Sequence, residues 1–241
     1  MKTLNYKSIS TSKEYDSFLK DLYMGVKQKI EEVEISPIKI IAISGNEPPS
    51  SKQYQTAIAC LYGIGYTLKM GLKFGKLPEP KRCFDYKVGA LETLWWSIKG
   101  VEFDISNPKI LRWKAYLMVP QFIDEKLFSE AVKMAALKKP EVPYAQASLE
   151  EFKEGHSVQV LHIGPYGKEM PMIELLHNYI KENKLKITGK HHEIYISDPR
   201  RVKPEKIKTV IRYPVSSLNE SAKPKAQDIE KRKNASRKKY L

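Results

Sequence analysis

The sequence predicts an α+β fold in which a β-α-β-β unit occurs twice, with pseudo-two-fold symmetry and a central ligand cleft. Strand-forming runs and long amphipathic helices follow each other in the same order in both halves of the 241-residue chain. One unit alone leaves a face of its sheet uncovered, so we expect the two units to pack together and to form a cleft between them. The halves share little sequence identity, and the repeat is therefore inferred from the order of the elements.

Residues 1–36 are predicted to form a helical extension that precedes the repeat. Apolar residues recur at helical spacing from Ser12 to about Glu32, and Ser12 is a suitable N-cap. The first β-α-β-β half is predicted over residues 37–120. Its expected elements are a strand at 38–44, a helix from Ser50 or Ser51 to about Phe74, a strand at 89–98, a turn at 106–108 and a strand at 110–119.

The second half is predicted over residues 121–217 and begins with a linking helix. Its further expected elements are a strand at 157–163, a turn at 164–167, a helix at 171–183, a strand around Glu193 and a strand at 207–213. Residues 218–241 are predicted to form a basic, disordered tail. From Ser221 onward this tail carries eight basic and two acidic residues. Its charge of 8 − 2 = +6 is nearly half of the net charge of +14.

Composition and charge restrict the class of protein. The hydrophobic content of 41% is that of a folded protein, and the sequence has neither an apolar run of membrane-spanning length nor a signal peptide at its start. The two cysteines, Cys60 and Cys83, are expected to be free thiols in a reducing cytoplasm. No nucleic-acid-binding motif accompanies the basic charge, which argues against nucleic acid as a partner, although the tail leaves that partner open.

Glu193 is the candidate functional residue that stands out in the sequence. It lies in a strand that ends at Asp198-Pro199, and side chains alternate across a strand. Glu193 therefore shares one face with His191 and Tyr195, while the other face carries isoleucines suited to a core. A carboxylate beside an aromatic ring is suited to a partly buried pocket, where it must find a donor, hold a cation or take up a proton. A solvent-exposed strand face is the alternative interpretation.

Aromatic residues on two predicted neighbouring strands are candidates for the wall of a ligand site. Trp95 and Trp96 point to opposite faces of one strand, and Trp113 lies on the next. Their rings could stack on a flat ligand or cation, or they could fill the core. Tyr116 and Met118 share one strand face and suit a promiscuous pocket, although core filling fits Met118 equally well.

Other candidates come from the turn, the strands and the first long helix. Tyr166 in the turn could project over the sheet or be a simple turn residue, and His162 just before it is either a ligand contact or a structural histidine. Tyr62 on the long helix is a further candidate ligand contact. Glu92 could meet the ligand opposite Glu193, which would raise the pKa of one carboxyl, or it could be exposed at a strand edge. The adjacent His191 and His192 point apart, so no metal site is predicted.

Several motifs resemble one protein family. They are LHIGPY at 161–166, HEIYISDPR at 192–200, KTVIRYP at 208–214, ALETLWW at 90–96 and WKAYLMVP at 113–120. Together these segments resemble the stand-alone branch of the GyrI-like small-molecule-binding proteins, over roughly residues 38–215. The resemblance implies the tandem β-α-β-β (SHS2-type) fold, a ligand cleft between the halves, and Glu193 at the position of the central carboxylate that binds cationic or lipophilic drugs.

Two functions of the pocket remain open from the sequence, and a third interpretation is an interaction protein that captures a partner through its basic tail. The first is binding, with sequestration or sensing of a small aromatic or cationic xenobiotic, and it is favoured because it needs only the pocket. The second follows from the resemblance to a subfamily that hydrolyses the cyclopropane of yatakemycin-type DNA-alkylating agents. Glu193 would then act as base or orient water, and Tyr166 or Tyr195 would donate to the substrate oxygen. Neither function implies a cofactor, and the sequence does not predict an oligomeric state.

Overall fold

A computed structural model of the protein describes residues 1–24, 26–99, 107 and 109–218. The predicted turn at 106–108, except for Asn107, and the predicted basic tail, except for Leu218, lie outside these residues. The strands are β1 (Lys2–Leu4), β2 (Glu31–Ile35), β3 (Ile38–Gly45), β4 (Leu91–Ser97), β5 (Leu111–Val119), β6 (Ser148–Phe152), β7 (Gly155–Ile163), β8 (Leu185–Ile187), β9 (His191–Tyr195) and β10 (Lys208–Ser217). The α-helices are α1 (Ser12–Leu19), α2 (Lys52–Lys73), α3 (Glu125–Lys138) and α4 (Met170–Glu182).

The strands form one mixed sheet in the order β1-β2-β7-β10-β9-β4-β5-β3-β6, and β8 pairs with the end of β10. The order β-α-β-β occurs as β3-α2-β4-β5 and again as β7-α4-β9-β10, if the three-residue strand β8 between α4 and β9 is set aside. The two sets meet where β4 pairs with β9 in antiparallel orientation. Outward from this junction the strands are β4, β5 and β3 on one side and β9, β10 and β7 on the other. On each side the second, third and first strands of the set therefore follow in that order. The pseudo-two-fold relation between the halves itself remains a prediction.

Different segments cover the two faces of the sheet. The α2–α3 pair packs on one face over a core that includes Ile41 and Leu117, and α4 packs on the other half of that face over Val160 and Ile211. The opposite face is covered by the N-terminal segment, which includes α1. Burial of these apolar side chains on both faces supplies the main favourable free energy of folding. Within the described ranges no helix combines the length and apolarity that crossing a membrane requires.

The N-terminal helix predicted over 12–32 is wrong in its last part. Thr11, not Ser12, is the N-cap, because its hydroxyl accepts from the Glu14 backbone N–H while the Glu14 carboxylate accepts from the Thr11 N–H. The helix continues as a π-helical turn to Met24, and residues 31–35 form β2 instead. Buried Val33 and Ile35 alternate with more exposed glutamates there, and pairing with β7 satisfies the backbone.

Candidate functional site

Glu193 lies at the centre of the sheet, on the strand where the two halves meet. Its register partners are Thr93 on β4 and Ile211 on β10. Glu193, His191 and Tyr195 share the face that carries α2 and α4, while Ile194 packs into the core of the other face. Glu193 is only 5% exposed, so the interpretation as a solvent-exposed strand residue is wrong.

Two neighbours on the same strand hold the Glu193 carboxylate. His191 Nε2 lies 2.9 Å from Oε1, and the Tyr195 hydroxyl donates to Oε2 over 2.8 Å. Both neighbours are held in turn, since Tyr213 OH lies 2.7 Å from His191 Nδ1 and Trp95 Nε1 donates to Tyr195 OH over 3.2 Å. Hydrogen bonds of this kind compensate the cost of burying a carboxylate. The result is a carboxylate of fixed orientation.

Aromatic rings surround this carboxylate. Tyr54 on α2 packs edge-on against Trp113 at 5.0 Å and lies 5.4 Å from Trp95, measured between ring centroids. Tyr166, which is 38% exposed, packs edge-on against Tyr195 at 5.7 Å. Tyr166 is the more exposed ring of this pair. A flat ligand would meet favourable ring faces and edges here.

The phenols in this region remain protonated at neutral pH. Burial, followed by the charge of Glu193, raises the pKa of Tyr195 well above its usual value. Burial and the nearby Glu169 and Glu193 raise the pKa of Tyr166 to about 12. A protonated phenol is a hydrogen-bond donor, and both tyrosines can therefore stabilise negative charge on a neighbouring group.

Glu169, which the sequence reasoning missed, belongs to the same region. It precedes α4 and is only 4% exposed. Burial, together with the negative charge of Glu193, raises the pKa of Glu169 to about 9, so its carboxyl holds a proton at neutral pH. The nearby Thr209 hydroxyl lowers the pKa of Glu169 and so offsets part of this increase. Within the described part of the chain, Thr209 Oγ1 and Glu169 Oε1 are both buried without a hydrogen-bond partner at full geometric criteria.

Glu92 does not meet a ligand opposite Glu193, and it is not exposed at an edge. Its register partner on β9 is Ile194, so its side chain lies on the other face of the sheet. There it is 1% exposed and accepts hydrogen bonds from Tyr23 OH at 2.7 Å and Tyr116 OH at 3.0 Å. The expectation that Glu92 and Glu193 meet one ligand is therefore wrong, because the two carboxylates lie on opposite faces of the sheet.

A buried ion network extends from Glu92 on this second face. His192 Nε2 lies 3.1 Å from Glu92 Oε2, and His192 Nδ1 lies 2.7 Å from Glu154 Oε1. Arg212 donates to the other oxygen of Glu154 over 2.9 Å. Burial alone would raise the pKa of Glu154, but the charges of His192 and Arg212 outweigh it and lower the pKa to about 2. Burial alone would lower the pKa of His192, and its two glutamate partners raise it instead.

Four further residues predicted to contact a ligand lie on the second face of the sheet or behind Tyr54. Tyr116 and Met118 are fully buried in the core of the second face, and Trp96 is half-buried on that face with Lys190 Nζ 3.2 Å from its ring centroid. Trp113 is buried behind Tyr54 and donates to Glu47 O. The structure thus brings only part of the predicted set around Glu193.

His162 lies on β7, and Tyr62 lies on α2, one of the helices that cover the face of Glu193. His162 on β7 pairs in register with Thr209, and its Nε2 lies 3.3 Å from Pro165 O. Tyr62 on α2 stacks on Tyr66 with ring centroids 6.1 Å apart. These contacts of His162 and Tyr62 do not include Glu193. Their contacts with a ligand remain predictions. Across residues 1–24, 26–99, 107 and 109–218, no three His, Cys, Asp or Glu side chains are placed to hold a metal ion.

Comparison with known proteins identifies the family. A family model described as the GyrI-like small molecule binding domain matches residues 118–216. A crystal structure of an uncharacterized conserved protein from Listeria innocua is 34% identical, with 82% of this chain and 98% of that one covered and a TM-score of 0.74. The chain belongs to the GyrI-like family. The predicted family and α+β class are confirmed, and the GyrI-like chain carries a small-molecule-binding domain.

Other similar structures carry more specific names. Two crystal structures of a hydrolase from Listeria innocua are each 33% identical to the GyrI-like chain, with 84% of this chain and 98% of those chains covered and TM-scores of 0.74 and 0.76. The EcmrR C-terminal domain is 15% identical with a TM-score of 0.51, so that likeness is one of fold alone. No curated protein sequence matches the chain.

Proposed function

We propose that this GyrI-like protein is a hydrolase for flat, lipophilic aromatic molecules that carry a strained electrophilic ring. The observation that carries the proposal is the buried Glu193 carboxylate, held by His191 and Tyr195 among aromatic rings. A fixed carboxylate in an apolar site is suited to activate water. The two relatives named hydrolases, at 33% identity and over nearly their whole length, support this choice over binding alone.

The proposed substrate has a cyclopropane conjugated to a dienone, as in yatakemycin-type alkylating agents. Water attacks a ring carbon, the strained C–C bond breaks, and its electron pair moves into the dienone, which becomes a phenolate. Glu193 accepts the proton of the attacking water. Tyr166, which is partly exposed beside Tyr195, packs against the substrate and hydrogen-bonds its oxygen. Tyr195 donates to Glu193 Oε2, so it positions the base and is not the donor to the substrate.

The test is hydrolysis of a purified cyclopropanoid compound by the wild type and by Glu193→Gln. The amide keeps the size of the side chain but cannot accept a proton, and we expect turnover to fall by ~10²–10⁴. The assay is mass spectrometry of the product, which contains one added water. Glu151→Gln on the exposed face of β6 is the matched control and should retain turnover. Full turnover by Glu193→Gln would show that Glu193 is not the base.

Sequestration without chemistry is the second candidate function. It is favoured by one observation: both Glu193 oxygens already accept hydrogen bonds, which suits a counter-ion for a cationic aromatic ligand beside Tyr54 and Trp95. Binding alone predicts that a cationic lipophilic dye binds saturably and is recovered unchanged. Hydrolysis predicts that a bound cyclopropanoid is recovered with water added. Mass spectrometry of the recovered compound separates the two.

A further inference from the structure

We propose that Glu169 is the acid partner of Glu193: it donates a proton to the substrate oxygen while Glu193 takes a proton from the attacking water. This inference rests on the proposed hydrolytic function and adds a catalytic residue to it. Three observations support it: Glu169 is buried, its Oε1 has no partner among the described residues, and Glu193 places a negative charge near it.

Glu169 is buried, and one oxygen of its carboxyl lacks a partner within the described residues. It occupies the residue before α4, but its side chain makes no capping hydrogen bond to that helix. Its Oε1 is buried, and no partner for it occurs among the described residues. Leaving a buried polar atom unsatisfied is unfavourable, and a structural glutamate would avoid that cost by pairing. A bound substrate would supply the missing partner.

Charged and polar groups from several elements lie near Glu169. Glu193 on β9 contributes a negative charge, Thr209 on β10 contributes a hydroxyl, and Tyr166 lies close by in the turn before α4. His162, the register partner of Thr209, lies on β7 beside them. The positive end of the α4 dipole favours an ionised carboxylate, but burial and the charge of Glu193 outweigh it.

This electrostatic arrangement divides the roles of the two carboxyls. Burial and the negative charge of Glu193 raise the pKa of the Glu169 carboxyl, so the proton of this pair of carboxyls resides on Glu169. With a pKa of about 9, Glu169 is a stronger acid than Tyr166, whose pKa is about 12. Glu169 can therefore protonate the developing phenolate more readily than Tyr166, which keeps its role as a hydrogen-bond donor.

The proposed step balances in protons and electrons. Before reaction the pair holds one proton, on Glu169. Water adds its oxygen to the ring carbon, the C–C bond breaks, Glu169 gives its proton to the dienone oxygen and Glu193 receives one proton from water. After reaction the pair again holds one proton, now on Glu193. Its return to Glu169 restores the site without a net exchange with solvent.

The experiment is the pH dependence of cyclopropanoid hydrolysis by wild type, Glu169→Gln and the control Glu174→Gln. Glu174 lies on the exposed side of the same helix. For the wild type we expect kcat to fall as the pH rises through about 9, because the acid loses its proton. Glu169→Gln should lower kcat by ~10²–10⁴ and abolish this alkaline fall, whereas Glu174→Gln should match the wild type.

The outcomes separate this inference from the proposed function. A wild type that hydrolyses no cyclopropanoid overturns the proposed function itself. An active wild type with an equally active Glu169→Gln, or with an unchanged alkaline fall in that variant, overturns the acid role alone. If Glu169→Gln does not fold, infrared spectroscopy of the wild type replaces it. A protonated-carboxyl band that persists above pH 7 and disappears near pH 9 supports the proposal, and absence of that band at pH 7 overturns it.

Discussion

At the scale of single residues, Glu193 and Glu92 show how surroundings decide what a glutamate does. Both are buried on adjacent central strands, but they lie on opposite faces. Glu92 accepts from two tyrosines and approaches His192, so its charge is fully engaged in a structural network. Glu193 faces aromatic rings and a second carboxyl, Glu169, that carries an unpartnered oxygen. The unpartnered oxygen of Glu169 supports the proposal that the ligand binds on the helix-covered face.

Replacing Tyr195 with Phe is expected to weaken both the fold and the proposed catalysis. The change removes the donor to Glu193 Oε2 and leaves Trp95 Nε1 without its acceptor. Loss of a buried hydrogen bond to a charged group should lower the free energy of unfolding by about 1–3 kcal/mol. Urea denaturation measures this change, and turnover should fall because the base is less well oriented. Tyr66→Phe on the exposed face of α2 is the control; equal stability of the two variants would contradict the expectation.

At the scale of elements, regular patterns predicted most of the fold. Helix α2 and its Ser51 cap, helix α4 and the strands that flank them follow from periodicity, because their apolar residues recur with the correct spacing. The N-terminal extension was misassigned because helical apolar spacing continues to Val26, while β2 is a five-residue strand whose partners are distant in sequence. Such a strand is defined by its pairing with β7 more than by its own pattern.

The sequence predicted correctly only that part of the candidate site whose geometry follows from a single strand. Alternation along β9 places Glu193, Tyr195 and His191 together, and this follows from the sequence. The relative register of β4 and β9 does not, and a shift of one residue moves Glu92 to the opposite face. Glu169 was missed because an acidic residue before a helix is usually a favourable terminal charge, and only the tertiary fold buries it.

The network on the second face makes the pairing of strands depend on pH. Replacing Glu154 with Gln leaves His192 and Arg212 without their shared partner, and we expect a loss of about 3–5 kcal/mol in unfolding free energy at pH 7. The folded-state pKa of Glu154 is lowered from 4.5 to about 2. Its stabilising effect is therefore present above pH 4.5 and is lost as the pH falls towards 2.

The difference in stability between the wild type and Glu154→Gln should accordingly narrow between pH 4.5 and 2. Urea denaturation at a series of pH values measures this difference. Glu151→Gln on the exposed side of β6 is the control and should follow the wild type throughout. A difference that stays constant down to pH 2 would show that Glu154 is not ionised through contact with His192 and Arg212.

At the scale of the whole molecule, the two β-α-β-β sets are joined through both faces of one strand pair. On the helix-covered face, Trp95 of β4 donates to Tyr195 of β9. On the other face, Glu92 of β4 meets His192 of β9. The sheet is continuous across this junction, and the proposed site draws residues from both sets. Separation of the sets would expose a buried ion pair and two sheet edges, which is unfavourable.

We therefore expect the chain to unfold in a single cooperative transition that includes both sets. The three tryptophans all lie within residues 37–120 and the five histidines all lie within residues 121–217, so each set has its own probe. Tryptophan fluorescence and histidine ring NMR signals should report the same urea midpoint, as two-state unfolding requires. Glu92→Gln, which weakens the junction, should lower both midpoints equally. Two separate midpoints in the wild type, or a shift of the tryptophan signal alone in Glu92→Gln, would show that the sets fold independently and that the site is assembled by docking.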